Sequence, residues 1–138
     1  MSNDKNIETV KAMYAAFGRG DVPFVLEQLA DEGFQDWRVN SATDTGVPWH
    51  RNFASKREVP GFFQALAGNV DHVRFEPRDF ASNGSQVYAT IDMTLKVKAT
   101  GKVIEMNDVV HVFTFKNGRI VKLRSSEDTA LGAAAFQS

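Results

Sequence analysis

His111 is the residue of this sequence whose type and surroundings best suit the transfer of a proton. The chain contains three histidines and no cysteine, which excludes a thiol nucleophile, thiolate metal ligands and a disulfide scaffold. His111 lies inside the apolar run Val109–Phe115, so we expect it to be largely buried. An imidazole ordinarily titrates near pH ~6.5 and suits proton transfer at neutral pH. The pattern predicts a catalytic His111, with Glu127 beside it to fix its tautomer; a core histidine without substrate is the alternative.

The other two histidines carry no comparable signal. His50 and its neighbour Arg51 lie in a long loop and are expected to be solvated, and His72 opens a strand and is expected to be exposed. No His-x-x-x-His or His-x-Glu spacing occurs, so no metal site is predicted. The glycines of Gly18–Gly20 do not form a dinucleotide-binding motif, and there is no Gly-x-Ser-x-Gly elbow. We therefore predict chemistry without a cofactor.

Large apolar side chains predict a pocket for a small apolar ligand. Trp49 lies in the loop of residues 40–54, and loops this long in a compact domain are often lids or binding loops. With Trp49, we predict Trp37, Phe63 and Met93 as substrate-binding residues, because small-molecule sites are concave and mostly apolar. The alternative is that these side chains simply fill the core.

Length and charge restrict the class of protein. A chain of 138 residues fits a single domain, 1–138. The 16 Lys and Arg against 17 Asp and Glu leave a net charge of -1, so neither nucleic acid nor a membrane surface is an expected partner. No apolar stretch approaches the length of a membrane span and the first residues are polar rather than signal-like, so we predict a cytoplasmic protein.

Helical periodicity occupies the first half of the chain. Apolar residues at helical spacing predict a helix over Ile7–Phe17. Asp21 is a suitable N-cap for a second, short helix. Ser55 and Glu58 have capping-box spacing before a third helix, although Pro60 offers a later start. Three N-terminal helices are therefore expected.

Strand periodicity dominates the second half. The segment 34–39 predicts a brief strand, and four longer strands follow Val70, separated by turn residues near 83, 100 and 117. Between Val87 and Val97 apolar and polar residues alternate, which indicates one buried and one wetter sheet face. Asp128 is the expected N-cap of a short terminal helix. Helices followed by an antiparallel meander predict an α+β fold with a curved sheet.

The last hairpin decides which polar residues flank His111, and two registers are open. A two-residue turn at Asn117-Gly118 would pair His111 with Arg124 and make Ser126 and Asp128 its neighbours. A three-residue turn with a bulge would pair His111 with Leu123 and make Ser125 and Glu127 its neighbours. We favour the second register, because it separates the apolar from the charged residues more cleanly.

Three segments carry a resemblance to a known family. Tyr14–Asp21, Pro48–Phe63 and His111–Ile120 resemble the SnoaL-like proteins of the nuclear-transport-factor-2-like superfamily, over almost the whole chain. The resemblance implies a cone-shaped α+β barrel of three N-terminal helices packed on a curved, mainly antiparallel sheet. It also implies an apolar cavity and a homodimer through the outer sheet face, to which Val110, Val112 and Val121 would contribute.

The resemblance also suggests functional positions. The general base of ketosteroid isomerases falls near Trp37, with Asp36 one residue away, and their oxyanion-side acid falls on His111. Their tyrosine falls near Met13 or Tyr14, so Tyr14 becomes a possible hydrogen-bond donor to an enolate, while the last-strand acid of epoxide hydrolases falls on Ser125. The expected function is to bind an apolar carbonyl compound and to catalyse its isomerisation or cyclisation by proton transfer. The alternative is a non-catalytic ligand-binding or dimerisation module of the same fold.

Overall fold

The structure is a computed structural model that describes residues 2–41 and 44–137. In it, helices pack against one face of a six-stranded sheet. The helices are α1 (Ser2–Gly18), α2 (Val22–Glu27), α3 (Val59–Asn69) and α4 (Thr129–Ala135). The strands are β1 (Asp36–Val39), β2 (Asn52–Phe53), β3 (Val70–Ser82), β4 (Gln86–Val97), β5 (Val103–Lys116) and β6 (Arg119–Ser126). The predicted α+β class is confirmed.

The helix ends follow the expected chemistry, with one adjustment. The Asp21 side chain accepts from the backbone N–H of Phe24 at 3.2 Å, and Asp128 accepts from Leu131 at 2.9 Å, so both predicted N-caps are present. A 3-10 turn occupies Lys56–Glu58, and α3 begins directly after it rather than at Pro60.

The sheet has the order β2-β1-β6-β5-β4-β3 and is not closed. The β1–β6 pair is parallel and the other pairs are antiparallel. The expected alternation in β4 is confirmed, because every second residue from Val87 to Val97 is buried. Register shifts interrupt the β3–β4, β4–β5 and β5–β6 pairs. Such bulges bend and twist strands, which curves the sheet around the helices.

The last hairpin combines a two-residue turn with a bulge, so the preferred three-residue turn is wrong. Lys116 pairs with Arg119 across the turn. One residue is then inserted in β6 at Val121, and from there His111 lies opposite Ser125 instead of Leu123 or Arg124. Val121 is only 3% exposed, so it is not part of an outward surface as expected for a dimer face.

Candidate functional site

An apolar cavity lies between the helices and the inner face of the sheet. The accessible volume of this cavity is about 80 Å³, which is more than one water molecule needs. All seven residues predicted to form the site line this cavity: Tyr14, Trp37, Trp49, Phe63, Met93, His111 and Glu127. The aromatic residues therefore border an open space and do not fill it completely.

Tyr14 and His111 form a hydrogen-bonded pair on the cavity wall. Tyr14 projects from α1 and its Oη lies 2.7 Å from Nδ1 of His111 on β5. The Phe113 ring packs against both rings, with 6.0 Å between its centroid and the centroid of each. The pair joins the helical layer to the sheet directly beside the cavity.

Burial keeps both members of this pair uncharged at neutral pH. Desolvation lowers the pKa of His111 to about 4, although the negative charge of Glu127 opposes this change. Desolvation also raises the pKa of Tyr14 well above its ordinary value. Both shifts have the same physical cause, because an apolar environment disfavours the charged form of either group. The imidazole is therefore much harder to protonate than expected from its ordinary pKa.

The hydrogen bond with Tyr14 determines which nitrogen of His111 carries the ring proton. A neutral tyrosine carries one O–H donor, and within the described part of the chain Nδ1 of His111 is its hydrogen-bond partner. If Tyr14 donates, Nδ1 is an acceptor and the ring proton resides on Nε2. The opposite tautomer would leave the buried phenol proton unpaired, which costs free energy. We therefore assign the Nε2–H form to His111.

Glu127 contacts a different imidazole from the one expected. Its Oε2 lies 3.2 Å from Nε2 of His50, and its Oε1 accepts a longer hydrogen bond of 3.4 Å from Ser125. The residue that orients His111 is thus Tyr14 and not Glu127. The expectation that His50 is solvated is wrong, because its side chain is 0% exposed and that of Glu127 is 7% exposed. Residues 44–51 fold inward around this pair.

His72 is also placed differently from the expectation. It lines the cavity, packs edge-on against Phe17 at 5.1 Å and against Phe75 at 6.0 Å, and is half-buried rather than exposed. Burial lowers its pKa, and Asp71 partly offsets this effect. A bulge at Val73 interrupts the β3 register beside it.

The position expected for an isomerase base does not hold a carboxylate in the cavity. Trp37 faces inward and packs against Phe62 and Phe63 at 5.9 Å from each. Asp36, one residue earlier, points to the other side of the sheet and forms an ion pair with Arg124 there. This is the result of strand alternation, since neighbouring side chains face opposite sides.

Several polar residues of this region were not predicted to belong to the site, among them Arg38, Thr45, His50 and His72. Only a weak signal could have found His50, namely its place beside Trp49 in a loop too long for a simple connection. The described residues contain no group of three or more acidic or histidine side chains placed to hold a metal ion. Within the same residues, no helix has both the length and the hydropathy needed to cross a bilayer.

Helices packed on one face of a bent, open sheet place this chain in the nuclear-transport-factor-2-like fold class, which similar solved structures share. The sequence matches the SnoaL-like domain over residues 10–123, and the chain therefore belongs to the SnoaL-like family. The predicted resemblance is thus confirmed. A search of the curated proteins finds no match to this sequence.

Solved structures support the same assignment. A nuclear-transport-factor-2-like protein of unknown function from Burkholderia pseudomallei is 24% identical, with a TM-score of 0.84 over 97% of this chain and 98% of the other. An isomerase candidate from Bacillus subtilis is 20% identical, with a TM-score of 0.79 over 99% and 95% of the two chains. A SnoaL-like polyketide cyclase candidate from Mesorhizobium loti is 22% identical, with a TM-score of 0.68 over 86% and 96%. These likenesses establish the fold.

Proposed function

We propose that this protein binds an apolar carbonyl compound in the cavity and catalyses proton transfer at the carbon next to the carbonyl group. The observation that carries this proposal is the Tyr14–His111 hydrogen bond of 2.7 Å on the wall of an apolar cavity that Glu127 also lines. The isomerase and cyclase candidates among the solved structures of this fold are consistent with such chemistry.

His111 supplies the hydrogen-bond donor in this proposal. Because Tyr14 occupies Nδ1, the proton on Nε2 remains for a ligand, and no other described residue is bonded to that nitrogen. A neutral imidazole can donate to a carbonyl oxygen and stabilise the negative charge that develops there. Its low pKa favours this role over that of a cationic acid. Tyr14 fixes the ring in the orientation and tautomer that the donor role requires.

Glu127 supplies the base. Its carboxylate would remove the proton from the α-carbon, the C–H electron pair would move to form the enolate, and the oxygen would receive the hydrogen bond from His111. The proton then returns from Glu127 to the same carbon or to another one. The apolar wall excludes competing water and strengthens both electrostatic contacts. The proposed site thus consists of the three residues predicted as catalytic, but with other roles. Glu127 is the base instead of the residue that orients His111, and Tyr14 orients His111 instead of donating to the enolate.

Ligand binding is tested with two compounds that differ only in the carbonyl group, α-tetralone and tetralin. Trp37 and Trp49 both line the cavity, so their fluorescence should report binding of either compound. One hydrogen bond predicts a preference for the ketone of about tenfold. A double variant, Tyr14→Phe with His111→Leu, should bind tetralin normally and lose this preference. Equal affinity of the unaltered protein for both compounds would contradict the carbonyl-binding role.

Proton transfer is tested by exchange of the α-protons of α-tetralone for deuterium in heavy water, followed by NMR. We expect Glu127→Gln to reduce the exchange rate by about 100-fold or more while retaining the fluorescence response. This change preserves the size of the side chain and removes its basic oxygen. An exchange rate that is the same in both proteins would exclude Glu127 as the base.

A non-catalytic binding protein is the second candidate. It is favoured by one observation: both oxygens of Glu127 already accept hydrogen bonds, from His50 and Ser125, so a base would have to give up or share one of these contacts. The two candidates differ in a single result. A passive binding protein would retain the ketone preference but would not accelerate deuterium exchange above the rate in buffer.

A further inference from the structure

A chain of hydrogen bonds connects the loop of residues 44–51 to the Glu127 carboxylate. Oγ1 of Thr45 lies 2.7 Å from Nδ1 of His50, and Nε2 of His50 lies 3.2 Å from Oε2 of Glu127. Neither member of the His50–Glu127 pair has appreciable exposure to solvent. A buried polar pair of this kind is costly unless its geometry is good and its remaining groups are bonded.

The direction of each hydrogen bond follows from the donors available. The backbone N–H of Val47 donates to Oγ1 of Thr45 at 3.2 Å, so this oxygen already acts as an acceptor. Its own hydroxyl proton can then be donated to Nδ1 of His50, which places the ring proton on Nε2. Nε2–H is the donor that a carboxylate requires. The loop thereby selects the tautomer of His50 that can bind Glu127.

The imidazole of His50 is also held in place by its packing. Its backbone N–H donates to the carbonyl of Val47 at 3.0 Å, which closes a tight turn. The Trp49 ring packs edge-on against it at 5.6 Å. On the other side, α4 covers the ring: a methyl group at Gly132 would lie 3.5 Å from its Cε1 atom. The ring is thus confined between the loop and the terminal helix.

We propose that His50, with its tautomer set by Thr45, is the positioning residue that holds the Glu127 carboxylate toward the cavity. This inference rests on the proposed function for its kinetic consequence, but the hydrogen-bond arrangement can be measured without any substrate. Through His50, the loop that closes one side of the cavity also orients the group proposed to act as the base. A Glu127 without this partner would be free to rotate away from the ligand, and small displacements of a catalytic group reduce rates strongly.

The first test measures the tautomer of His50 directly, by long-range proton–nitrogen NMR of the imidazole rings, with a His50→Gln variant to assign the signals. We expect His50 to carry its proton on Nε2 and to show an unprotonated Nδ1. Thr45→Val should weaken this preference, because it removes the hydroxyl donor and retains the shape of the side chain. A His50 ring protonated on Nδ1 in the unaltered protein would overturn the proposal.

The second test compares two substitutions in the deuterium exchange of α-tetralone. His50→Leu should lower kcat by about tenfold to 100-fold with little change in KM, whereas His50→Gln should restore part of the rate because its amide N–H can still donate to Glu127. A structural role alone would give equal losses in both variants, and that result would overturn the proposal. If the unaltered protein and Glu127→Gln are both inactive, the proposed function fails instead, and the tautomer measurement decides the positioning role of His50 by itself.

Discussion

The strongest quantitative consequence of this structure is a loss of folding stability in acid that depends on His111. The folded protein holds the pKa of this imidazole at about 4 through burial, whereas in the unfolded chain it is near the ordinary value of about 6.5. Between these two pKa values, His111 is therefore protonated in the unfolded chain and neutral in the folded protein. Stability falls as the pH drops below the unfolded pKa, and the loss levels off once the pH is below the folded one.

The magnitude follows from the difference between the two pKa values. By proton linkage, this pKa difference lowers the free energy of unfolding by about 2 kcal/mol at about pH 5 and by about 3 kcal/mol at about pH 4. The groups that face the ring are Tyr14 from α1, which is neutral, and Glu127, whose charge acts against the shift. His72 contributes a loss in the same direction, because burial also lowers its pKa. A comparison with a variant is needed to isolate the effect of His111.

The informative substitution is His111→Asn, which cannot titrate but retains a polar atom close to the position of Nδ1. Urea unfolding followed by circular dichroism gives the free energy of unfolding of both proteins at about pH 7.5 and about pH 5. We expect the unaltered protein to lose about 2 kcal/mol more than the variant between these conditions. His72→Asn is the matched control and should retain this His111-dependent loss. Identical pH dependence in the unaltered protein and in His111→Asn would refute the burial argument.

Three further predictions concern the framework of the site. Gly118→Ala should destabilise the protein by about 1 kcal/mol in urea unfolding, because residue 118 adopts a positive φ of 77° in the β5–β6 turn; no change would mean that the turn relaxes. Asp128→Ala removes the N-cap of α4 and should cost about 1 kcal/mol by the same assay, whereas Asp128→Ser should restore most of it. The homodimer stays a prediction: sedimentation should show two chains per particle, and Val112→Glu on the outer face should shift the protein toward the monomer. A Val112→Glu protein that still sediments as a dimer would contradict a dimer through this face.

The fold and part of the cavity wall were predictable, because both follow from local patterns. Alternation in β4 fixes which side chains face inward, and the apolar surroundings of His111 place it on the same face. The three helices and the N-caps Asp21 and Asp128 follow from residue type and spacing. Such signals need only a few neighbouring residues, so a single sequence contains them.

The pairing of polar groups was not predictable, because it depends on shifts of one residue and on contacts distant in sequence. The Asn117-Gly118 turn has a recognisable signature, but the bulge at Val121 has none, and it alone brings Ser125 opposite His111. His50 and Glu127 are separated by 77 positions, and nothing local shows that the loop folds inward. The sequence therefore indicated which chemistry-bearing residues exist, while their partners emerged only from the packing.

His72 and His111 line the cavity, and His50 contacts it only through Glu127, so the three imidazoles are not equivalent. His50 directs its proton to Glu127, His111 uses Nδ1 to hold Tyr14, and His72 is packed between aromatic rings. The proposed site offers a ligand the donor of His111 and the acceptor of Glu127, on a largely apolar wall that also includes Arg38, His72 and Ser125. The molecule that complements this arrangement has an oxygen acceptor and a polarised C–H, N–H or O–H group on a hydrophobic frame. A carbonyl compound with an acidic α-proton has both features, which is the physical reason for the proposed function.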